Sequence, residues 1–349
     1  MGAPELIALV LSGALLLYIL SGGADFGAGI WDLFARGPRA HAQRRLVEGA
    51  LAPVWEANHV WLIVAVVVLF TAFPPAFAAL TIRLHVPLVA LLIGVVLRGS
   101  ALVFRQYGGP DSAHRWQHVF AVASAATPFF LGAVLGAVTS GAASERDLLA
   151  WIAPLPIATG AAATALCAYL AAVYLAVEAS SKIGGASGET DPEAPTRELA
   201  DDFRRRAIAG WIALAVTCAG CAVAAHLDAP RFAGRLFTAA WSAPLGAVAA
   251  AAAVAALVAL VRGRFRLARV LAIVQASALL AAWGVAHAPL LIAPDLTVRG
   301  AAAPPVTLRI LGPVLVGGAL VVLPSLYWLM RVFKAPPPRP GDPRSGSPT

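Results

Sequence analysis

Two polar clusters interrupt the long apolar stretches of this 349-residue chain. One is GGADFGAGIWD, in which Asp25 stands among glycines, and the other is PVWEANHVW, which carries Glu56 and His59. A buried carboxyl group near a second acid can take up and release a proton close to neutral pH. We therefore predict a proton-transfer pair. The competing interpretation is that each acid pairs with an arginine or caps a helix.

The same region contains patterns typical of metal and haem sites, but each pattern is incomplete. Glu56 and His59 have the E-x-x-H spacing of di-iron bundles, which needs a second E-x-x-H that the sequence lacks. His59 and His85 fall at levels that differ by about 6 Å on consecutive predicted helices, yet His85 is an isolated histidine. Cys218 and Cys221 form C-x-x-C inside an apolar stretch, which favours packing over redox chemistry. We expect no metal site and no haem ligand in this chain.

The composition identifies the environment in which these residues work. The chain is 60% hydrophobic and only 13% charged, and its mean hydropathy is +0.79. A soluble enzyme needs far more charged surface than this. A disordered chain and a nucleic-acid-binding protein are also excluded, because the net charge of +8 is spread over long Ala, Leu and Val segments. The sequence therefore predicts an integral membrane protein.

Nine apolar stretches are long enough to cross a bilayer as helices, since a span needs about 20 residues. Period-2 alternation is absent, so we predict an all-α, polytopic fold with a single transmembrane domain over 1–333. The segment near Lys182–Arg206 is predicted to be a solvated connector, and 334–349 a disordered tail. The predicted spans are Leu6–Ala24, Ala57–Phe73, Ala76–Leu97, Val119–Gly141, Leu148–Val177, Ala207–Leu227, Ala239–Val261, Val270–Ala293 and Ile310–Met330.

The positive charges predict the orientation. Twenty of the 26 Lys and Arg residues fall in one set of alternate loops, five fall in the opposite set, and Arg83 falls inside the third span. Cytoplasmic loops carry the excess of Lys and Arg. The N-terminus is therefore predicted outside and the C-terminus in the cytoplasm. The basic charge marks topology and attraction to anionic lipids rather than nucleic acid.

Both acids are then predicted to be reached from the cytoplasm. If the first helix continues to Arg36, Asp25 lies eleven residues from that end, and Glu56 lies eight residues beyond Glu48. At 1.5 Å per residue these separations correspond to about 16 Å and about 12 Å. The two carboxyl groups would sit at similar depth on neighbouring helices.

Longer motifs around these residues carry a resemblance to a known family. They are GGADFGAGIWDLFARG at 22–37, VEGALAPVWEANHVWLIVAVVVLFTAFPPAFA at 47–78, LIGVVLRGSALVFR at 92–105 and WGVAHAPLLIAPDLTV at 283–298. In this order and over nearly the whole chain, the sequence resembles subunit II of the cytochrome bd quinol oxidases. Many members have Asp at the position of Glu56 and Glu at that of His59. The NHVWL and LRGSALVFR forms look more like the cyanide-insensitive branch.

The resemblance implies a multi-pass protein of the bacterial inner membrane whose main partner, subunit I, holds the quinol site and ligates haem b and haem d. The complex would reduce O2 to water with protons drawn from the cytoplasm. This chain would support the haem-bearing half and supply part of the proton route through Asp25, Glu56 and His59. A structural quinone, a small single-helix accessory subunit, quinol and membrane lipids are further expected partners. The motif residues with a structural role would be Trp55, Asn58, Trp61 and Arg98.

Two other functions fit a membrane protein with buried acids. A proton-coupled transporter also uses membrane carboxylates, but it is expected to show an internal repeat, and the sequence has no clear one. A stand-alone bis-histidine cytochrome would use His59 and His85.

Overall fold

A computed structural model shows that the chain is built almost entirely of α-helices. It describes residues 2–107, 110–144, 148–182 and 197–333, together with their side chains except those of 51–57, 106–107, 110–111, 113, 144, 182, 330 and 332–333. The predicted all-α class is confirmed for this part of the chain, apart from one short hairpin. The predicted disordered tail, 334–349, lies outside the described residues.

The elements follow one another along the chain with short connections. The helices are α1 (Ala3–Leu33), α2 (Ala40–Ala72), α3 (Pro74–Arg83), α4 (His85–Tyr107), α5 (Pro110–Ser140), a 3-10 turn (Ala142–Ser144), α6 (Pro154–Lys182), α7 (Arg197–Asp228), α8 (Pro230–Thr238), α9 (Ser242–Val261), α10 (Phe265–His287) and α11 (Pro305–Phe333). Two strands, β1 (Leu290–Ile292) and β2 (Leu296–Thr297), lie between α10 and α11.

Eight of the described helices are long and apolar enough to cross a bilayer: α1, α4, α5, α6, α7, α9, α10 and α11. In addition, Asn58–Ala72 of α2 and Pro74–Arg83 of α3 are long and apolar enough for a crossing only when taken together, and they are bent by 114° against each other. Pro74 and Pro75 open α3, where their missing N–H groups leave no hydrogen bond unmade. The bend therefore falls at the proline pair.

A third proline changes the predicted third span. Helix α3 ends at Arg83 and α4 begins at His85, because in one continuous helix the Pro87 ring would clash with the Arg83 carbonyl. The prediction of a single span over Ala76–Leu97 is therefore wrong. Arg83 lies at the end of a short helix and not inside a span.

Prolines also set two helix ends that hydropathy placed elsewhere. Helix α6 begins at Pro154, six residues after the predicted Leu148, and α10 ends at His287, before Pro289. Proline is favoured in the first turn of a helix and shortly after its last turn. The apolar sequence extends beyond these two points, but the helices do not.

The predicted connector near Lys182–Arg206 is helical from Arg197 onward, and 183–196 lies outside the described residues. Phe203 is fully buried there, because this turn of α7 packs on α6 and shares a core cluster with Leu46 of α2. Arg39 holds Asp202 through two hydrogen bonds of 2.8 and 2.9 Å. Beside Asp202, the pKa of the Arg39 guanidinium is raised above its ordinary value. The polar composition of the segment reflects an ion-pair network rather than a loop.

The hairpin closes the opposite end of the bundle. Its antiparallel strands pair Leu290 with Thr297. The Ala293 amide donates to the Val138 carbonyl at 3.0 Å, and the Ala303 amide donates to the Ala72 carbonyl at 2.8 Å. The connection from α10 to α11 is thus tied to the ends of α5 and α2.

Helix α6 occupies the centre of the packing. In the most apolar stretch of α6, 72% of the residues are buried. In the corresponding stretch of α11, only 11% are buried. Helices α1, α5, α7 and α10 all pack on α6. Two carboxyl groups of α1, Asp25 and Asp32, are fully buried within this packing.

Candidate functional site

Small residues let α1 approach α6 closely where the first polar cluster lies. A Cβ atom added to Gly27 would lie 1.9 Å from the Cys167 carbonyl oxygen of α6. One added to Gly23 would lie 2.7 Å from a methyl group of Leu170. No larger residue fits at Gly27 without moving α6, whereas a larger residue at Gly23 would displace the Leu170 side chain. The glycines around Asp25 therefore serve helix contact, and they place the carboxyl group in the interior.

The Asp25 carboxylate is held by Arg98 of α4. Arg98 Nη1 donates to Asp25 Oδ2 at 2.7 Å, and Nη2 donates to Oδ1 at 2.5 Å. The same Nη2 also donates to the Asp25 carbonyl oxygen at 3.0 Å. Asp25 is completely buried and the Arg98 side chain is 3% exposed. This two-point geometry is the strongest form of a carboxylate–guanidinium contact.

The surroundings of Arg98 complete the pairing. Arg98 Nε donates to the Ser124 hydroxyl of α5 at 3.0 Å. The rings of Phe26 and Phe120 lie 4.9 and 5.1 Å from the guanidinium carbon. Each of the three guanidinium nitrogens thus has an acceptor, and aromatic rings shield the group. A buried ion pair needs such additional contacts to offset its desolvation.

A second ion pair lies closer to the α1–α2 connection. Arg105 Nη1 donates to the fully buried Asp32 carboxylate at 2.9 Å, and Arg105 Nη2 contacts the Glu48 carboxylate of α2. Arg44 Nε lies 3.7 Å from the other Asp32 oxygen. Arg105 also stands 5.3 Å from the ring of Phe120. Phe120 therefore contacts both buried guanidinium groups.

The two pairs repeat with one spacing. Asp25 and Asp32 are seven residues apart on α1, and Arg98 and Arg105 are seven residues apart on α4. Seven residues make about two helical turns, so each pair of like residues lies on one helix face. We call these two ion pairs the ladder. The ladder was not predicted from the sequence, although the matched spacing of the two acids and the two arginines indicates it.

The second polar cluster meets α1 one turn before Asp25. Asn58 of α2 is fully buried, and its Oδ1 accepts a hydrogen bond of 3.0 Å from the Ser21 hydroxyl. A Cβ atom on Gly22 would lie 2.8 Å from the Asn58 amide nitrogen, so the glycine again makes room. Trp61 packs beside Phe26. The structure thus brings Asn58 and Trp61 next to the Asp25 region.

The structure describes the remaining predicted site residues only in part. His59 is half-buried on α2. The side chains of Trp55 and Glu56 lie outside the described residues, although both belong to α2. The distance between the Asp25 and Glu56 carboxyl groups is therefore left as a prediction.

Two buried polar atoms beside the Asp25–Arg98 pair lack a hydrogen-bond partner among the described residues. They are the Tyr18 hydroxyl and the Asn58 amide nitrogen. Tyr18 packs with Phe26 and Cys167 in one cluster. Buried polar atoms of this kind commonly bond to ordered water. Tyr18 of α1 and Asn58 of α2 therefore present polar atoms near Asp25.

No group of three or more potential metal ligands occurs among the described residues. His85 begins α4, where its Nδ1 lies 3.1 Å from the Ile82 carbonyl oxygen. His287 stacks on Trp283, with ring centroids 5.1 Å apart. Cys218 and Cys221 are half-buried free thiols.

Comparison with known proteins assigns a family to this arrangement. Residues 3–333 match the family model described as "Cytochrome bd terminal oxidase subunit II". The chain is 30% identical over 129 residues to the cytochrome bd ubiquinol oxidase subunit 2 of Bacillus subtilis (strain 168). It is 27% identical over 143 residues to the cytochrome bd-I ubiquinol oxidase subunit 2 of Escherichia coli (strain K12).

These two alignments cover 36% and 40% of this chain, and 37% and 36% of the relatives. The aligned part thus spans little more than a third of the curated relatives. The fold is similar over a much greater length to a chain in the structure of bd oxidase from Geobacillus thermodenitrificans. That match has a TM-score of 0.76 at 23% identity and covers 96% of this chain and 99% of the other.

The ladder generates a prediction about stability. We expect Arg98→Gln to lower the free energy of unfolding by about 3–5 kcal/mol, because it leaves the Asp25 carboxylate buried and unpaired. The double variant Asp25→Asn/Arg98→Gln should regain part of that loss, since it removes both charges. Thermal unfolding of the purified protein in detergent, followed by tryptophan fluorescence, measures the difference.

Arg204→Gln is the matched control. It breaks a half-exposed ion pair of 3.3 Å with Asp201, and such pairs contribute less than about 1 kcal/mol. Equal destabilisation by Arg98→Gln and Arg204→Gln would show that the buried pair is not the stronger constraint.

Proposed function

Because the chain belongs to the cytochrome bd terminal oxidase subunit II family, we propose that it works as the second subunit of a membrane complex that oxidises quinol and reduces O2 to water. The family match over residues 3–333 carries this proposal, since it includes both polar clusters. The fold likeness to the Geobacillus thermodenitrificans chain agrees with it. Family membership favours this function over a proton-coupled transporter or a stand-alone cytochrome.

We propose nine crossings of the bacterial inner membrane within one domain over 1–333, with the N-terminus outside and the C-terminus in the cytoplasm. Eight spanning helices plus α2 support the number. The fourfold excess of Lys and Arg in alternate loops supports the orientation. The short helix α3 then lies between two crossings, on the outer side.

We propose that subunit I is the partner and that it ligates haem b and haem d. Haem iron needs a well-placed ligand, commonly His, Cys or Met. Two histidines of this chain have a ring nitrogen near a backbone carbonyl: His85 Nδ1 lies 3.1 Å from the Ile82 oxygen, and His287 Nε2 lies 3.3 Å from the Leu291 oxygen. A structural quinone and a single-helix accessory subunit are further expectations of the resemblance.

We propose that the chain contributes part of a proton route from the cytoplasm, with Glu56 and His59 on α2 and Asp25 on α1. Within this route Arg98 donates to both carboxylate oxygens of Asp25. Glu56 is the acid that α2 contributes. The buried polar atoms of Tyr18 on α1 and Asn58 on α2 support a path between the two helices, since each can bond to water.

The assignment to an oxidase complex is tested by purification from native membranes. A companion chain should co-purify, and the complex should give a reduced-minus-oxidised haem spectrum. The chain expressed alone should give none, and His59→Ala or His85→Ala in the complex should leave the spectrum in place. A stable spectrum from the lone chain that either substitution abolishes would favour the cytochrome function instead.

The topology is tested by reporters. A reporter inserted between residues 182 and 197, and another fused after Lys334, should both read cytoplasmic. A reporter inserted beside Gly300, in the turn before α11, should read external. An external signal from either of the first two sites contradicts the nine-span arrangement.

The proton route is tested by neutral variants. Glu56→Gln should slow O2 consumption by about 100-fold while the haem spectrum persists, because general acid–base groups contribute effects of about that size. Glu56→Asp should be milder, since it keeps a titratable group. Asp25→Asn should slow turnover too, and it should also weaken assembly because it leaves Arg98 unpaired.

Glu5→Gln is the control, because Glu5 pairs with Arg299 at the far end of α1. Its turnover should match that of the unmodified complex. Normal turnover and unchanged pH dependence in both Glu56→Gln and Asp25→Asn would leave these acids with a structural role only.

A further inference from the structure

An apolar groove runs between α9 and α10 on the surface of the described chain. It has a volume of about 450 Å³ and ends at two arginines. The small side chains of α9 form its floor, and larger apolar side chains of α10 form one wall. The lining residues used below are Ala251, Ala255, Leu267, Leu271, Arg262 and Arg264.

The turn between the helices fixes the two arginines at the end of the groove. The Gly263 amide donates to the Leu260 carbonyl at 3.1 Å, and the Arg264 amide donates to the Ala259 carbonyl at 2.8 Å. Gly263 has φ +69°, a conformation that other residues rarely adopt. This hydrogen-bond pattern is a Schellman motif, which ends a helix with a defined reversal. Arg262 and Arg264 therefore flank a rigid turn.

Both arginine side chains are exposed, and neither forms an ion pair with any residue that the structure describes. Arginines at the edge of the hydrocarbon region are favourably placed next to anionic lipid headgroups. The adjoining groove is apolar, so an aqueous anion would fill only its charged end. A ligand that fits both parts must be amphiphilic, with a negative head and a hydrocarbon chain.

The length of the groove sets the size of that chain. Ala251 and Arg262 are eleven residues apart on α9, which corresponds to about 16 Å of helix. The hydrocarbon core of a bilayer is about 30 Å thick, so the groove extends through about one leaflet.

We propose that this groove binds one anionic phospholipid, with an acyl chain between α9 and α10 and the phosphate between Arg262 and Arg264. Small side chains at Ala251 and Ala255 leave room for the chain, and Leu267 and Leu271 line it. Only the choice of leaflet, the cytoplasmic one, rests on the proposed function and its orientation.

The test is native mass spectrometry of the purified complex, titrated with phosphatidylglycerol or with phosphatidylcholine of the same acyl chains. The unmodified complex should retain one phosphatidylglycerol in preference to phosphatidylcholine. Arg262→Gln and Arg264→Gln should each weaken phosphatidylglycerol binding about fivefold. Arg266→Gln is the matched control, because it removes the same charge near the same turn but does not line the groove.

Two further measurements distinguish binding of the acyl chain in the apolar groove from binding of the headgroup at its charged end. Ala255→Phe should weaken binding of the long-chain lipid by filling the floor. Glycerol phosphate, which has the head but no chain, should fail to displace phosphatidylglycerol at equal concentration.

Three results would overturn the proposal: equal retention of both lipids, equal loss in Arg266→Gln and the groove variants, or displacement by glycerol phosphate. The readout is bound mass and not turnover. A negative result therefore leaves the oxidase function standing, and an inactive complex leaves lipid binding measurable.

Discussion

The buried Asp25–Arg98 ion pair constrains how the helices around it pack. Hydrocarbon offers no water to replace a lost partner, so each charge must find its contacts within the protein. Arg98 reaches Asp25 only because α5 supplies Ser124 and Phe120 beside it. Asp25 can lie that deep only because Gly27 lets α1 approach α6. The positions of four helices thus follow from one pair of charges.

The pairing with Arg98 also determines the electrostatic effect of Asp25 on groups of α2. Two opposite charges 2.5 Å apart at their closest atoms largely cancel at a distance. An acid on the adjacent helix therefore experiences a dipole rather than a full charge. Loss of either partner would turn that dipole into an unbalanced charge in a medium of low dielectric constant. The Asp25–Arg98 pair therefore adds little net charge beside α2.

Much of the fold could be predicted from the sequence, because length and hydropathy alone identify membrane helices. The helix ends could not, since they depend on prolines: Pro87 divides α3 from α4 although the surrounding residues are apolar. The polar start of α7 was wrongly predicted as a loop, because charged residues dominate its sequence although it forms a helix. Leu199 and Phe203, four residues apart, bury one face of this first part of α7, although seven of the residues from 197 to 206 other than these two are charged.

The candidate site was predicted only in part. Asp25 stood out because a carboxyl group among apolar residues is conspicuous, and the resemblance marked Arg98 as a motif residue. Their contact joins residues 73 positions apart, and no local pattern gives such a distance. The Asp32–Arg105 pair was missed because both residues lie near loops that looked solvated.

The shared seven-residue spacing of the ladder makes chain length between its two levels a requirement of its own, beside the close contacts that fix Gly27 and Gly29. A single inserted residue would turn Asp32 by about 100° around α1 and carry it away from Arg105, while Asp25 stayed in place. Relatives that keep both ion pairs should therefore align between them without gaps.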